Sequence, residues 1–143
     1  MINIIKVDMK RTVTRYIPSM NVNIIYKIGR NAGDNFNLID ESDKNDLWFH
    51  INNKPSCHVI ARLQNIRFTT QDNDLPNYYD IHFDTLENKQ KQQIITQGAL
   101  ICKQFSKFKS EQKVEVIYTN IENIHKTEIV GSVTAYKTKI IIV

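Results

Sequence analysis

The stretch DLWFHINNKPSCHVIARL, residues 46–63, gathers the only Trp of the chain, two of its four His, one of its two Cys and an Arg. These side chains fit several chemistries. Imidazole and thiolate bind metals, a Cys–His pair makes a nucleophile, and an aromatic ring beside an Arg stacks on bases and grips phosphate. Spacing separates them. LWFHI and CHVIARL have the β-branched and aromatic content of short strands, and NNKPS between them holds turn formers, so the stretch predicts a hairpin. With Ile51 opposite Cys57, His50 faces His58 and Trp48 faces Ile60. Leu47, Phe49, Val59 and Leu63 then share the core face, and Trp48, His50, His58 and Arg62 share the other.

Cys57 and His58 are adjacent, so a strand points them to opposite faces. That leaves two His without a third ligand, a poor zinc site unless the loop carrying His82 folds over. It also parts the thiol from any imidazole base. There is no paired carboxylate at informative spacing and no Gly-x-Ser-x-Gly, so no enzyme activity, metal or cofactor is expected. The four-residue face suits contact with a nucleic acid. Its structural alternative is a Trp packed under a helix with both His satisfied by hydrogen bonds.

GRNAGDN, residues 29–35, lacks the Gly-Lys-Ser/Thr ending of a P-loop. Its two Gly and two Asn suit a loop with positive-φ positions. Backbone amides there can cup a phosphate as a nest, with Arg30 supplying charge and Asn31 and Asn35 flanking it. The alternative is a turn in which the Asn side chains bond the backbone.

The elements that must position these residues follow from periodicity. VTRYIP (13–18) and VNIIYKIG (22–29) form a first hairpin, with Val22, Ile24, Tyr26 and Ile28 on one face. DESDKND (40–46) is an acidic loop, and 69–84 a polar surface loop. Asp84 followed by Glu87 resembles a capping box, and a helix runs from about Leu86 to Phe108. Ile94, Ile95, Gly98, Ala99, Ile101, Cys102, Phe105 and Phe108 fall on one arc, with Lys89, Lys103 and Lys107 opposite. Strands at 113–119 and 131–143 complete the pattern. The fold class is α+β, a twisted and mainly antiparallel sheet of about five to seven strands against one long helix.

Length predicts one domain, and 41% apolar and 24% charged residues are ordinary for a globular chain. Two Cys outside any C-x-x-C pair imply no disulfide framework and a reducing compartment. The N-terminus is too short in apolar residues for a signal peptide, and no stretch spans a membrane, so a cytoplasmic location is expected. Abundant Ile, Asn and Lys fit an AT-rich genome. The net charge of +4 is uneven: +5 over residues 1–30, −5 over 31–84 and +4 over 85–143. If the two basic ends meet, they form a patch that attracts phosphate polyanions. Lys126 belongs to the basic third with Lys109, Lys113, Lys137 and Lys139.

GRNAGDN, then DLWFHINNKPSCHVIAR, then a helix ending CKQFSKFK, then VEVIYTNIENIHKTEIVGSVTAYKTKIIIV resembles the NFACT-R domain in order and spacing, from about Val13 to Val143. The resemblance implies an α+β RNA-binding domain of ribosome quality-control proteins that engages tRNA, ribosomal RNA and the ribosome. A shorter relative is associated with DNA binding. Ser56 stands where the family has Gly, Cys57 where Ser is usual, and the segment between Thr127 and Gly131 lacks the usual Pro and Gly. Arg30, Asn31, Asn35, Trp48, His50, His58, Arg62, Lys103, Lys107 and Lys126 are the expected nucleic-acid contacts. The alternative is a protein-interaction module that docks on a ribosome or larger partner through the acidic middle segment.

Overall fold

The structure is a computed structural model that describes residues 11–67 and 78–143. The basic residues within 1–10 and most of the expected 69–84 loop lie outside these. Ten strands and two helices are ordered along the described chain: β1 (Thr12–Ile17), β2 (Val22–Ile28), α1 (Ala32–Glu41), β3 (Leu47–Ile51), β4 (Val59–Arg62), β5 (Ile66–Arg67), β6 (Tyr78–Tyr79), α2 (Asn88–Gln104), β7 (Glu115–Asn120), β8 (Ile124–Lys126), β9 (Val133–Ala135) and β10 (Lys139–Ile142). Six of the strands form one antiparallel sheet in the order β1-β2-β4-β3-β7-β10. The α+β expectation, a mainly antiparallel sheet with one long helix packed on it, holds.

Alternation builds the first layer. Val22, Ile24, Tyr26 and Ile28 of β2 are buried, and Asn21 at φ 54° closes the turn from β1, a left-handed position that Asn tolerates well. Leu47, Phe49 and Ile51 of β3 point to the same side as Val59 and Ala61 of β4. There they meet Ile94, Ile95, Ala99, Ile101 and Cys102 of α2, the arc that the helical period predicts. The helix sits on the ring of Phe49 so closely that a Cβ at Gly98 would lie 2.3 Å from it. The Tyr26 hydroxyl crosses this core to donate to the Ile94 carbonyl at 2.8 Å, satisfying a polar group that burial would otherwise penalise.

Several boundaries differ from expectation, each for a local reason. Asp84 lies in a 3-10 turn, Phe83–Thr85, so the capping box moves to Glu87 and Gln90 and α2 starts at Asn88. It ends at Gln104 rather than Phe108, with Phe105 as its C-cap. The 131–143 strand is two strands, β9 and β10, in different sheets, because Lys137 at φ 54° turns the chain between them.

The largest difference is α1. Residues 29–35 and the start of 40–46 were expected as loops, but Ala32–Glu41 is helical. Asn31 caps it, its side chain accepting from the Asp34 amide at 2.9 Å. Gly, Asp and three Asn residues near this helix make its intrinsic propensity poor. Packing holds it instead. Leu38 joins Trp48, Ile60, Ile121 and Ile124 in a second apolar cluster on the far side of the sheet. The β8–β9 hairpin closes the same cluster, with Val133 and Ala135 at its margin. The sheet is therefore covered on both faces.

Candidate nucleic-acid interface

The hairpin register is as the spacing requires: Trp48 pairs with Ile60, Phe49 with Val59 and Leu47 with Ala61. Trp48 does lie on the face opposite Phe49, but that face is not open. Trp48 is 1% exposed and His58 2% exposed, both beneath α1 and the β8–β9 hairpin. The indole Nε1 donates to His58 Nδ1 at 3.1 Å. His50 is half-buried and stacks on the indole at 5.5 Å, 9° from parallel, with its Nδ1 2.6 Å from the Ile51 carbonyl. The expectation of an open face carrying these rings is corrected: Trp48 and His58 are buried in the core. Arg62 does not complete their surface either. It lines a separate hollow of about 370 Å³ with Glu41, Asp43 and the buried Asp46.

Burial lowers the His58 pKa to about 3, helped by the neighbouring His50, while a hydrogen bond to the Gly131 carbonyl works against it. Burial lowers His50 in the same direction. Above about pH 6.5 the His58 ring is neutral in both folded and unfolded chains. Below that, the unfolded chain takes up the proton first, so stability falls by about 1.4 kcal/mol per pH unit down to the folded value. The urea midpoint is expected to be lower at pH 5.5 than at pH 7.5, and His58→Gln to flatten that difference. A variant with the wild-type slope would mean that His58 is not its source.

The cations have a different meeting place. A cleft of about 550 Å³ lies between the start of α1, the 55–57 turn, the end of α2 and the 130–132 turn of the β8–β9 hairpin. Arg11, Arg30 and Lys107 all line it, from the chain before β1, the β2–α1 connection and the chain after α2. Arg30 Nε is held by Asp34 at 3.1 Å, a contact that leaves the terminal guanidinium N–H donors to other partners. Arg11 lies over the Phe105 ring, 4.7 Å from its centroid. Ser56, Ser106 and Ser132 add hydroxyls to the walls.

The motif Gly-Arg-Asn shapes this cleft. The Gly29 amide donates to the His58 carbonyl at 2.9 Å, and Asn35 Oδ1 accepts from the His58 amide at 3.3 Å. A Cβ on Gly29 would lie 1.8 Å from Asn35 Oδ1. Gly29 is thus required by close approach, not by positive φ; Gly131, at φ 84° and against Ala32, is the described glycine in that region. Asn35 and His58 lock the β2–α1 connection to the chain entering β4, and Asn31 is the helix cap.

Of the ten expected contacts, Arg30, Asn31, Asn35 and Lys107 come together in the cleft. Lys103 is half-buried, its Nζ donating to the Val143 main-chain oxygen at 3.2 Å. Lys126 is drawn onto α1, paired with Asp40 and 5.0 Å from the centroid of the Phe36 ring. Arg11 was missed, and no local pattern marks it; its position depends on where β1 meets α2. Among the described residues no group of three or more His, Cys, Asp or Glu is arranged to hold a metal, and no helix is long and apolar enough to cross a membrane.

Comparison with known proteins agrees with the fold and the motif order. The C-terminal part of the fibronectin/fibrinogen-binding protein of Streptococcus suis is similar in structure, with a TM-score of 0.60, 24% identity and 84% of the present chain covered. The chain spans only 41% of that structure. None of the curated proteins compared with it matches. A family description, NFACT protein RNA binding domain, matches residues 12–136, from the first strand of the sheet to the end of the β8–β9 hairpin, and so takes in every wall of the cleft but Arg11. By that match over most of its length, the chain belongs to the NFACT RNA-binding domain family.

Proposed function

We propose that this chain binds RNA by gripping backbone phosphates in the cleft of Arg11, Arg30 and Lys107, and that its partner is a structured RNA such as tRNA or ribosomal RNA met in translation or ribosome quality control. Membership of an RNA-binding domain family supports RNA as the partner class. The observation that carries the site is the convergence of three cations from three separate segments on one concave surface. Phosphate contacts dominate the affinity of such surfaces and make it salt-dependent. A guanidinium fixed through one nitrogen and free at the others is suited to a phosphate oxygen pair. Aromatic stacking by Trp48 has no part in this reading. The family is a binding family rather than a catalytic one.

Fluorescence titration of labelled tRNA, single-stranded RNA and duplex DNA at two salt concentrations tests the proposal. Expected are tighter binding of tRNA than of duplex DNA and an affinity that falls with salt. Arg62→Gln, which alters the acidic hollow, should leave both unchanged. Affinity for tRNA no better than that of an unrelated protein of equal charge would overturn it. Capture of a single protein after nuclease treatment, with no RNA bound, would favour docking on a protein partner instead.

A further inference from the structure

Cys57 and Cys102 are distant in sequence and adjacent in space. Cys102 is fully buried on α2, and its thiol donates to the Cys57 carbonyl at 3.9 Å. Cys57 is half-buried and lines the cleft beside Arg11 and Ser56. Both are free. Cys57 is therefore the more accessible of the two residues, and Cys102 is sealed in the core.

We propose that Cys57 and Cys102 are a peroxide-responsive dithiol in the wall of the cleft, Cys57 the attacking thiol and Cys102 the one that closes the disulfide. In the first step the Cys57 thiolate attacks the nearer oxygen of a hydroperoxide. The O–O bond breaks, Cys57 becomes a sulfenic acid and the alcohol or water leaves with the proton. In the second step the Cys102 sulfur attacks the Cys57 sulfur, an S–S bond forms, and the hydroxyl leaves as water with the Cys102 proton. Two thiols and one hydroperoxide thus give one disulfide, one alcohol or water, and one water. The peroxide is reduced by the two electrons the sulfurs lose.

The electrostatics suit that division of labour. A hydrogen bond between the two thiol side chains lowers the Cys57 pKa, and the Arg11 charge adds to it, against the opposing effect of burial. The same contact and deeper burial raise Cys102. Thiolate character and access therefore fall on the same residue. A disulfide here would tie the 55–57 turn to α2, three residues before Phe105 at the opposite wall of the cleft. The consequence for RNA rests on the cleft being the RNA site.

Intact-mass spectrometry of the full chain after graded hydrogen peroxide decides the matter. The wild type is expected to lose two hydrogens and both free thiols without gaining oxygen. Cys102→Ser should stop at a sulfenic acid on Cys57 that dimedone traps, and Cys57→Ser should stay unmodified. With iodoacetamide, Cys57 should react about tenfold faster than Cys102. Oxygen accumulating on wild-type Cys57 without a cross-link, or both thiols surviving peroxide that oxidises free cysteine, would overturn the dithiol. A further arm adds tRNA before iodoacetamide and is expected to slow Cys57 alkylation. A disulfide that forms normally while tRNA gives no protection would keep the dithiol and remove the cleft from RNA binding.

Discussion

Trp48→Ala is expected to destabilise the fold by about 3–5 kcal/mol, a large part of the roughly 5–15 kcal/mol that holds a domain together. The indole is 1% exposed and is the largest fully buried side chain. It fills the space between β4, α1 and the 121–124 segment, touching the cluster of Leu38, Ile60, Ile121 and Ile124. Removing it opens a cavity that these neighbours belong to different elements to fill. It also strips His58 Nδ1 of its donor, and an unpaired buried acceptor costs about 1–3 kcal/mol. Trp48→Phe should restore most of the packing but not the hydrogen bond, and so lie between the two. Urea denaturation measures all three. If Trp48→Ala melts like the wild type while RNA affinity collapses, the indole faces a ligand after all and the second cluster is wrong.

The triple variant Arg11→Gln, Arg30→Gln, Lys107→Gln should do the reverse, with the fold intact and RNA affinity lost. These side chains are exposed, and the one ion pair disturbed, Arg30 with Asp34, is a surface pair worth about 0–1 kcal/mol. Removing three phosphate contacts should shallow the slope of log K against log salt by about 2.1–2.7. Affinity at moderate salt should fall about a hundredfold or more, since charge-assisted contacts are each worth a kcal/mol or so. The matched control is Lys109→Gln, Lys126→Gln, Lys139→Gln, which removes the same charge away from the cleft. Equal loss in the two triples would mean that net charge alone draws RNA and that the cleft is not a site.

Salt and pH affect different parts of the molecule. The cations of the cleft act through exposed charge and respond to salt. The His50–His58–Trp48 group acts through burial and responds to acid, because two neutral imidazoles must stay unprotonated under α1. The link between them is short. His58 bonds Gly29 and Asn35 through its main chain, and Gly131 through its ring, and all three residues line the cleft. The buried group sets the position of three cleft walls without touching what binds there.

What the residues alone determined lay within reach of short-range periodicity. A period of two gave β2 its buried face and gave β3 and β4 their register, Trp48 against Ile60. A period of 3.6 gave α2 its buried arc from Ile94 to Cys102. Motif order pointed to the family. The pleat states which side chains share a face; it does not state whether that face is covered. Covering Trp48 depended on α1, whose polar sequence hides its helicity, and on a hairpin about eighty residues further along the chain. For the same reason Arg11 and Lys107 could not be paired from sequence. Their approach is set by how β1 and α2 pack together, and tertiary packing alone decides which cations among many become one site.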